Sequence, residues 1–123
     1  MKVFFASILL AAAAFASVND SASLTGKWQV HIRVSDREAE DTCTFVQKGN
    51  DLTGSCTSER GTGSITGKVE DKKVAWVYKS SSDANGPITL TYQGAVISPG
   101  NLSGSVTVEE YNVSGEFTAT LAN

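Results

Sequence analysis

Side chains that could perform acid–base or nucleophilic chemistry are few in this chain of 123 residues. His31 is its single histidine, and in the alternating segment around it strand parity places His31 on the polar side, beside Gln29 and Arg33. A catalytic pair needs a second group that converges on the histidine. Glu109 and Glu110 are adjacent, so parity sends these two carboxylates to opposite faces. We therefore expect no catalytic residue and a protein that is not an enzyme.

The two cysteines, Cys43 and Cys56, flank the dipeptide Gly49-Asn50 symmetrically. A hairpin that turns at this dipeptide sets the cysteines directly opposite each other, as a non-hydrogen-bonded pair in which the strands lie closest. Such a pair suits a cross-strand disulfide in an oxidising compartment, with free thiols as the alternative. Two cysteines are too few for a zinc site, and no glycine-rich loop opens a helix to hold a phosphate. We predict a structural disulfide, no metal and no cofactor.

Residues 1–16 have the features of a secretory signal peptide. Lys2 gives a positive start, and the run from Val3 to Phe15 is uncharged, largely apolar and too short to span a bilayer. Ala14-Phe15-Ala16 is a small-x-small cleavage site. We therefore predict a secreted protein without a membrane span.

The mature chain carries a net charge of −4, because removal of Lys2 leaves nine basic and thirteen acidic residues. Such a balance argues against nucleic acid as a partner, since nucleic acid requires a basic face. A polar lead over residues 17–25 comes before a single predicted domain over residues 26–121. Asn101 and Asn112 begin N-glycosylation acceptor sequences that we expect in turns.

One five-residue pattern, apolar–polar–Gly–polar–apolar, occurs six times in the chain. Alternation of this kind is typical of strands, and here it places the glycine on the apolar face, where a strand normally carries a side chain. Glycine inside a strand marks a bend or a close approach of another backbone. Six such strands in a short chain predict a sheet that coils tightly into a barrel. The repeats begin at Leu24, Leu52, Ile65, Tyr92, Leu102 and Val113.

Eight alternating segments joined by turns predict an all-β fold, an eight-stranded antiparallel up-and-down β-barrel with one cross-strand disulfide. A two-sheet sandwich is the structural alternative. A closed sheet of eight strands is just wide enough to be filled by side chains or to hold one small ligand. The predicted strands are Gly26–Val34, Thr42–Lys48, Asp51–Ser58, Ser64–Glu70, Lys73–Lys79, Ile88–Ile97, Leu102–Glu109 and Val113–Leu121.

Up-and-down topology sorts the loops of this barrel onto two ends. Short turns, both chain ends and most of the inward glycines fall at one end, which we predict to be closed, with Trp28 as its plug. The longer loops over residues 35–41, 59–63, 80–87 and 110–112 fall at the other end, which is the predicted open mouth. The glycines with a structural role at the closed end are Gly26, Gly54, Gly67, Gly94 and Gly104.

Six inward side chains are candidates for contact with a ligand in the lumen. Trp76, Tyr78 and Tyr92 combine apolar area with a polar group. Tyr78, nearer the mouth, would give a ligand one hydrogen bond while Trp76 stacks below it. An ordinary hydrophobic core is the alternative interpretation of the same side chains. The full set is Ile32, Phe45, Trp76, Tyr78, Tyr92 and Val106.

The opening run Leu24-Thr25-Gly26-Lys27-Trp28 resembles the Gly-x-Trp opening of lipocalins and avidins, which are calycins. The chain is also similar to a family of small exported lipocalin-like domains in its length, in the hairpin run from Phe45 to Gly54 and in the closing run from Gly115 to Thr120. This resemblance covers most of the mature chain and implies a calycin-like barrel. Lipocalins commonly pack a basic side chain near the C-terminus across the opening Trp, whereas this chain ends in Leu121-Ala122-Asn123.

The run Val74-Ala75-Trp76 resembles the avidin strand whose Trp stacks on biotin, which implies biotin as a further alternative ligand. Trp76 is the one residue that this resemblance carries over. Two and six residues after Trp28, where avidins place polar groups that bind biotin, this chain has Val30 and Val34. These valines would leave the biotin head group without its hydrogen-bond partners.

The predicted mouth is rich in carboxylates. These side chains either form a solvated rim or favour a cationic ligand or a basic protein partner through electrostatic steering. Our first functional hypothesis is a secreted, non-catalytic barrel that binds a small, mostly apolar ligand. The second is a filled barrel whose loops bind another protein, as an inhibitor or a host-interaction factor. The charged residues of the mouth are Asp36, Glu38, Glu40, Asp41, Glu59, Asp83, Glu109 and Glu110, against Arg37, Arg60 and Lys79.

Overall fold

The computed structural model describes residues 23–59, 61–80 and 86–122. The predicted signal peptide, residues 1–16, lies outside the described residues, as does the lead up to residue 22. The described residues form eight β-strands and no helix. The strands are β1 (Gly26–Val34), β2 (Arg37–Lys48), β3 (Asp51–Ser58), β4 (Gly61–Glu70), β5 (Lys73–Ser80), β6 (Thr89–Ser98), β7 (Asn101–Val108) and β8 (Val113–Ala122).

The eight strands form a closed barrel in chain order. Each strand pairs antiparallel with the next, and β1 also pairs antiparallel with β8. This arrangement confirms the predicted eight-stranded up-and-down barrel and excludes the two-sheet sandwich. Because alternate residues of a strand face the same side, the apolar positions of all eight strands meet in one core. Among the described residues, no helix is long and apolar enough to cross a membrane.

Two loops at the mouth are shorter than the sequence pattern predicts. The prediction of a loop over residues 35–41 is wrong, because β2 begins at Arg37, which pairs with Val34 across a two-residue turn. The charged side chains at the start of β2 are exposed, so water solvates them while the backbone pairs and the hairpin extends beyond the core. The loop predicted over residues 59–63 is also shorter, since β4 begins at Gly61. The other strand ends differ from the predicted ones by at most one residue.

The inward glycines lie where a neighbouring strand leaves no room for a side chain. Gly54 has a φ of 153°, and a Cβ at this position would meet the backbone of Thr44. A Cβ at Gly67 would lie only 2.6 Å from the Cβ of Trp76. Glycines at such positions let a sheet bend sharply enough to close into a narrow barrel. A Cβ would also meet a neighbouring strand at the remaining glycines of the predicted set, Gly26, Gly94 and Gly104.

The residues just before β1 cover the closed end of the barrel. Leu24, two residues before the predicted start of the domain, is 3% exposed and belongs to the core. Its carbonyl oxygen accepts a hydrogen bond from Nε1 of Trp28 at 2.9 Å. Its backbone N–H donates a hydrogen bond to Oε1 of Gln47 at 2.8 Å. Trp28 is itself buried, so side chains from β1, β2 and the N-terminal segment together fill this end.

The disulfide predicted between Cys43 and Cys56 is confirmed. The two residues are partners in the β2–β3 register, with 4.0 Å between their Cα atoms. Both side chains are buried in the core. The bridge therefore joins two strands inside the barrel wall.

Candidate ligand-binding site

A cavity of about 1200 Å³ lies at the mouth of the barrel, bounded by inward side chains of the lumen and by the exposed rim. Strands from both sides of the barrel and the chain just before β6 contribute to its wall. Tyr78 and Ser58 are lining residues that carry hydroxyl groups. A concave site in which apolar side chains and polar groups converge is typical of sites for small molecules. The apolar lining residues are Ile32, Val34, Ile88, Leu90, Val108 and Val113.

An aromatic cluster, formed by Phe45, Trp76, Tyr92 and Phe117, fills the lumen below this cavity. The rings of Trp76 and Tyr92 are stacked, with 4.6 Å between their centroids. Phe117 meets both of these rings edge-on, at centroid distances of 5.3 Å and 5.1 Å. The ring of Phe45 packs edge-on against Trp76 at 5.0 Å. The barrel is thus filled in its lower half and hollow only towards the mouth.

The six predicted lumen residues divide between these two regions. Ile32 and Tyr78 line the cavity and are 8% and 7% exposed. The other four are almost completely buried, and ligand contact by them stays a prediction. Their observed role is to support the cavity from below. These four residues are Phe45, Trp76, Tyr92 and Val106.

Two buried polar atoms, Nε1 of Trp76 and Oγ of Ser80, have no hydrogen-bond partner among the described residues. Buried polar groups are normally satisfied, and an unsatisfied one costs about 1–3 kcal/mol. Ser80 is a lining residue of the cavity, but its Oγ is itself buried. Trp76 lies one layer deeper, within the aromatic cluster.

Asp41 is a residue of the cavity that the sequence prediction assigns to a loop. It lies on β2, two residues before Cys43 and four before Phe45, so it shares their inward face. Asp41 lines the cavity and is only 7% exposed. Burial, followed by the negative charge of Asp41, raises the pKa of the Tyr92 phenol above its ordinary value. Alternation counted back from Cys43 places Asp41 on the inward face, but the run of charged residues before it is typical of a loop.

Charged side chains surround the mouth. The imidazole of His31 lies between two carboxylates, with Nε2 3.2 Å from Oε1 of Glu38 and Nδ1 3.2 Å from Oε2 of Glu40. The carboxylate of Glu110 accepts a hydrogen bond from the backbone N–H of Thr89 at 2.8 Å, which lowers the pKa of Glu110. Two of the predicted mouth charges, Arg60 and Asp83, lie outside the described residues.

Comparison with known proteins identifies the fold of this chain. No known protein family matches the sequence, and no curated protein does. A redesigned β-barrel, b11L5F_LGL, superimposes with a TM-score of 0.67 at 15% sequence identity, covering 84% of this chain and 95% of its own. A second redesigned β-barrel, mFAP1 bound to DFHBI, gives a TM-score of 0.64 at 18% identity, covering 80% of this chain and 94% of its own. Likeness at this identity shows a shared barrel architecture.

Proposed function

We propose that this protein is a secreted, non-catalytic barrel that binds a small, mostly apolar ligand in the cavity at its mouth. The observation that carries the proposal is the cavity itself, in which apolar side chains of the lumen lie between a charged rim and the buried aromatic cluster. The similar barrel mFAP1 is bound to DFHBI, which supports the view that a barrel of this architecture can bind a ligand.

Secretion and a lipocalin-like relationship are parts of the same proposal. The disulfide between Cys43 and Cys56 supports export, because such bridges persist mainly in oxidising compartments. The order of the strands and the buried Trp28 near the start of β1 support the resemblance to small exported lipocalin-like domains.

Native mass spectrometry of the mature protein, purified gently from culture medium, tests the proposed function. We expect an additional non-covalent mass that is lost on activation. Val108→Trp places a large side chain in the cavity and should abolish this additional mass. Ser105→Trp, on the outer face of the same strand, should retain it. A bare wild-type protein, or retention of the mass by Val108→Trp, would contradict ligand binding in the cavity.

A second candidate function is protein binding through the loops at the mouth, as an inhibitor or a host-interaction factor. Tyr111, in the turn before β8, favours it because this large side chain is 60% exposed. Tyrosine is enriched at the energetic centres of protein interfaces. This function predicts a bare mass for the protein purified alone, together with loss of partner binding in Tyr111→Ser.

A further inference from the structure

The charges of the cavity wall are unevenly distributed. Among the described residues that line it, five are carboxylates and one is an arginine. Two of these carboxylates already have cationic or imidazole neighbours, since His31 lies between them and Nε of Arg33 is 3.7 Å from Oε2 of Glu38. A cleft lined by an excess of one charge sign attracts ligands of the other sign. The charged lining residues are Asp36, Glu38, Glu40, Asp41, Glu59 and Arg37.

Asp41 differs from the other carboxylates because it faces inward, at the level of the apolar wall. It pairs with Val30 in the β1–β2 register, whereas the exposed Glu38 and Glu40 lie nearer the end of the hairpin. Asp41 is also the residue whose charge acts on the phenol of Tyr92 in the aromatic cluster. An inward-facing carboxyl group is thus present at the depth where the cavity meets its floor.

A cation gains more from Asp41 than from an exposed carboxylate. Folding has already removed most of the water around this residue, which is 7% exposed, so an incoming cation loses only its own hydration. Water also screens the resulting interaction weakly. A carboxylate has about four acceptor positions, so the interaction that Asp41 already makes in the folded protein is compatible with a further hydrogen bond from a ligand.

We propose that the ligand of this cavity is a cationic amphiphile, with an ammonium group that binds Asp41 and an apolar part that packs against the wall. This inference rests on the proposed function and adds the chemical class of the ligand. The apolar part contacts Ile32, Leu90 and Val108, which lie on strands around the same cavity.

Isothermal titration calorimetry with two matched probes tests the proposal. The probes, 4-phenylbutylamine and 4-phenylbutan-1-ol, have the same apolar part and differ in the ammonium and hydroxyl groups. The wild-type protein should bind the amine roughly tenfold or more tightly than the alcohol, as is typical of a hydrogen bond to a charged partner. In Asp41→Asn the two affinities should become similar, whereas the alcohol should bind about as well as before. Glu116→Gln, an equal charge change on the exposed outer face of β8, should keep the preference.

The possible results test the cationic ligand and the proposed function separately. Equal affinity of wild-type protein for both probes would overturn the cationic ligand and leave ligand binding intact. An unchanged preference in Asp41→Asn would overturn the role of Asp41. Absence of binding by both probes would overturn the inference as well, and native mass spectrometry would then decide the proposed function alone. The comparison of probes on wild-type protein holds even if Asp41→Asn does not fold.

Discussion

Substitution of Gly67 by alanine is expected to destabilise the barrel, although it adds a single methyl group. The new Cβ would lie 2.6 Å from the Cβ of Trp76 and 2.7 Å from its Cα, whereas ordinary van der Waals contact begins at 3.4 Å. The Cβ would lie closer still to the carbonyl oxygen of Ala75. Two of these three atoms belong to the backbone of β5, so β4 and β5 must separate by close to an ångström to admit the methyl group.

Two opposing effects set the expected change in the free energy of unfolding of Gly67→Ala. Overpacking against atoms that cannot rotate away costs about 3 kcal/mol, the upper end of the usual range. Alanine restricts the unfolded chain more than glycine does, which offsets about 1 kcal/mol of this cost. We therefore expect Gly67→Ala to lower the free energy of unfolding by about 2 kcal/mol. Urea unfolding monitored by tryptophan fluorescence should show a midpoint lower by about 1–2 M.

Ser64→Ala is the matched control for this substitution. Ser64 lies on the same strand but is exposed on the outer face, so its replacement should change the free energy of unfolding by less than about 0.5 kcal/mol. Equal stability of Gly67→Ala and Ser64→Ala would refute the view that this glycine is required by the close approach of β5.

Three further predictions concern the disulfide, the closed end and the mouth. Replacement of Cys43 and Cys56 by alanine should lower the free energy of unfolding by about 3 kcal/mol, because the bridge closes a short loop in the unfolded chain; wild-type stability in a denaturant titration would contradict this. Leu24→Ala should lower the free energy of unfolding by about 2–4 kcal/mol because Leu24 is buried, whereas Lys27→Ala, at an exposed position, should change it little. Similar unfolding midpoints for the two variants would show that Leu24 does not stabilise the closed end. Because the pKa of Glu110 is lowered in the folded protein, its ionised carboxylate stabilises the fold at pH values above the ordinary pKa of glutamate. This stabilisation is lost as the pH falls through the pKa that Glu110 has in the folded protein. The melting temperature of the wild type should therefore fall more steeply than that of Glu110→Gln between about pH 5 and pH 3, and parallel profiles would count against the hydrogen bond to Thr89.

Strand parity and the repeated glycines were sufficient to predict the barrel. Alternation indicates which residues face inward, and the glycine repeats indicate where the sheet must bend. The symmetry of Cys43 and Cys56 about Gly49-Asn50 fixed the β2–β3 register, which the structure confirms. The start of β2 was missed because its exposed, charged residues lack an apolar face, which is the signal that parity requires.

The sequence predicts that Tyr78 lies nearer the mouth than Trp76, but the depth at which the cavity ends and the packed core begins was beyond its reach. Parity places Trp76 and Tyr78 on the same inward face, yet Trp76 lies in the aromatic cluster and Tyr78 in the cavity wall. That difference depends on the stagger of all eight strands around the closed sheet, which no single strand encodes. Asp41 was assigned to a loop because its strand begins earlier than its polar neighbours indicate.

Closure of the sheet between β1 and β8 has a consequence for how the chain folds. Lys27 pairs with Ala122, so the β1–β8 pairing joins residues that are far apart in the sequence. Contacts of such long sequence separation form slowly, because the intervening chain must be ordered before they are made. Until β8 has been synthesised and docked, β1 and β7 present unpaired edges that can associate with other copies of the chain. Low temperature and slow synthesis during expression should therefore raise the yield of soluble protein more than changes to the cavity do.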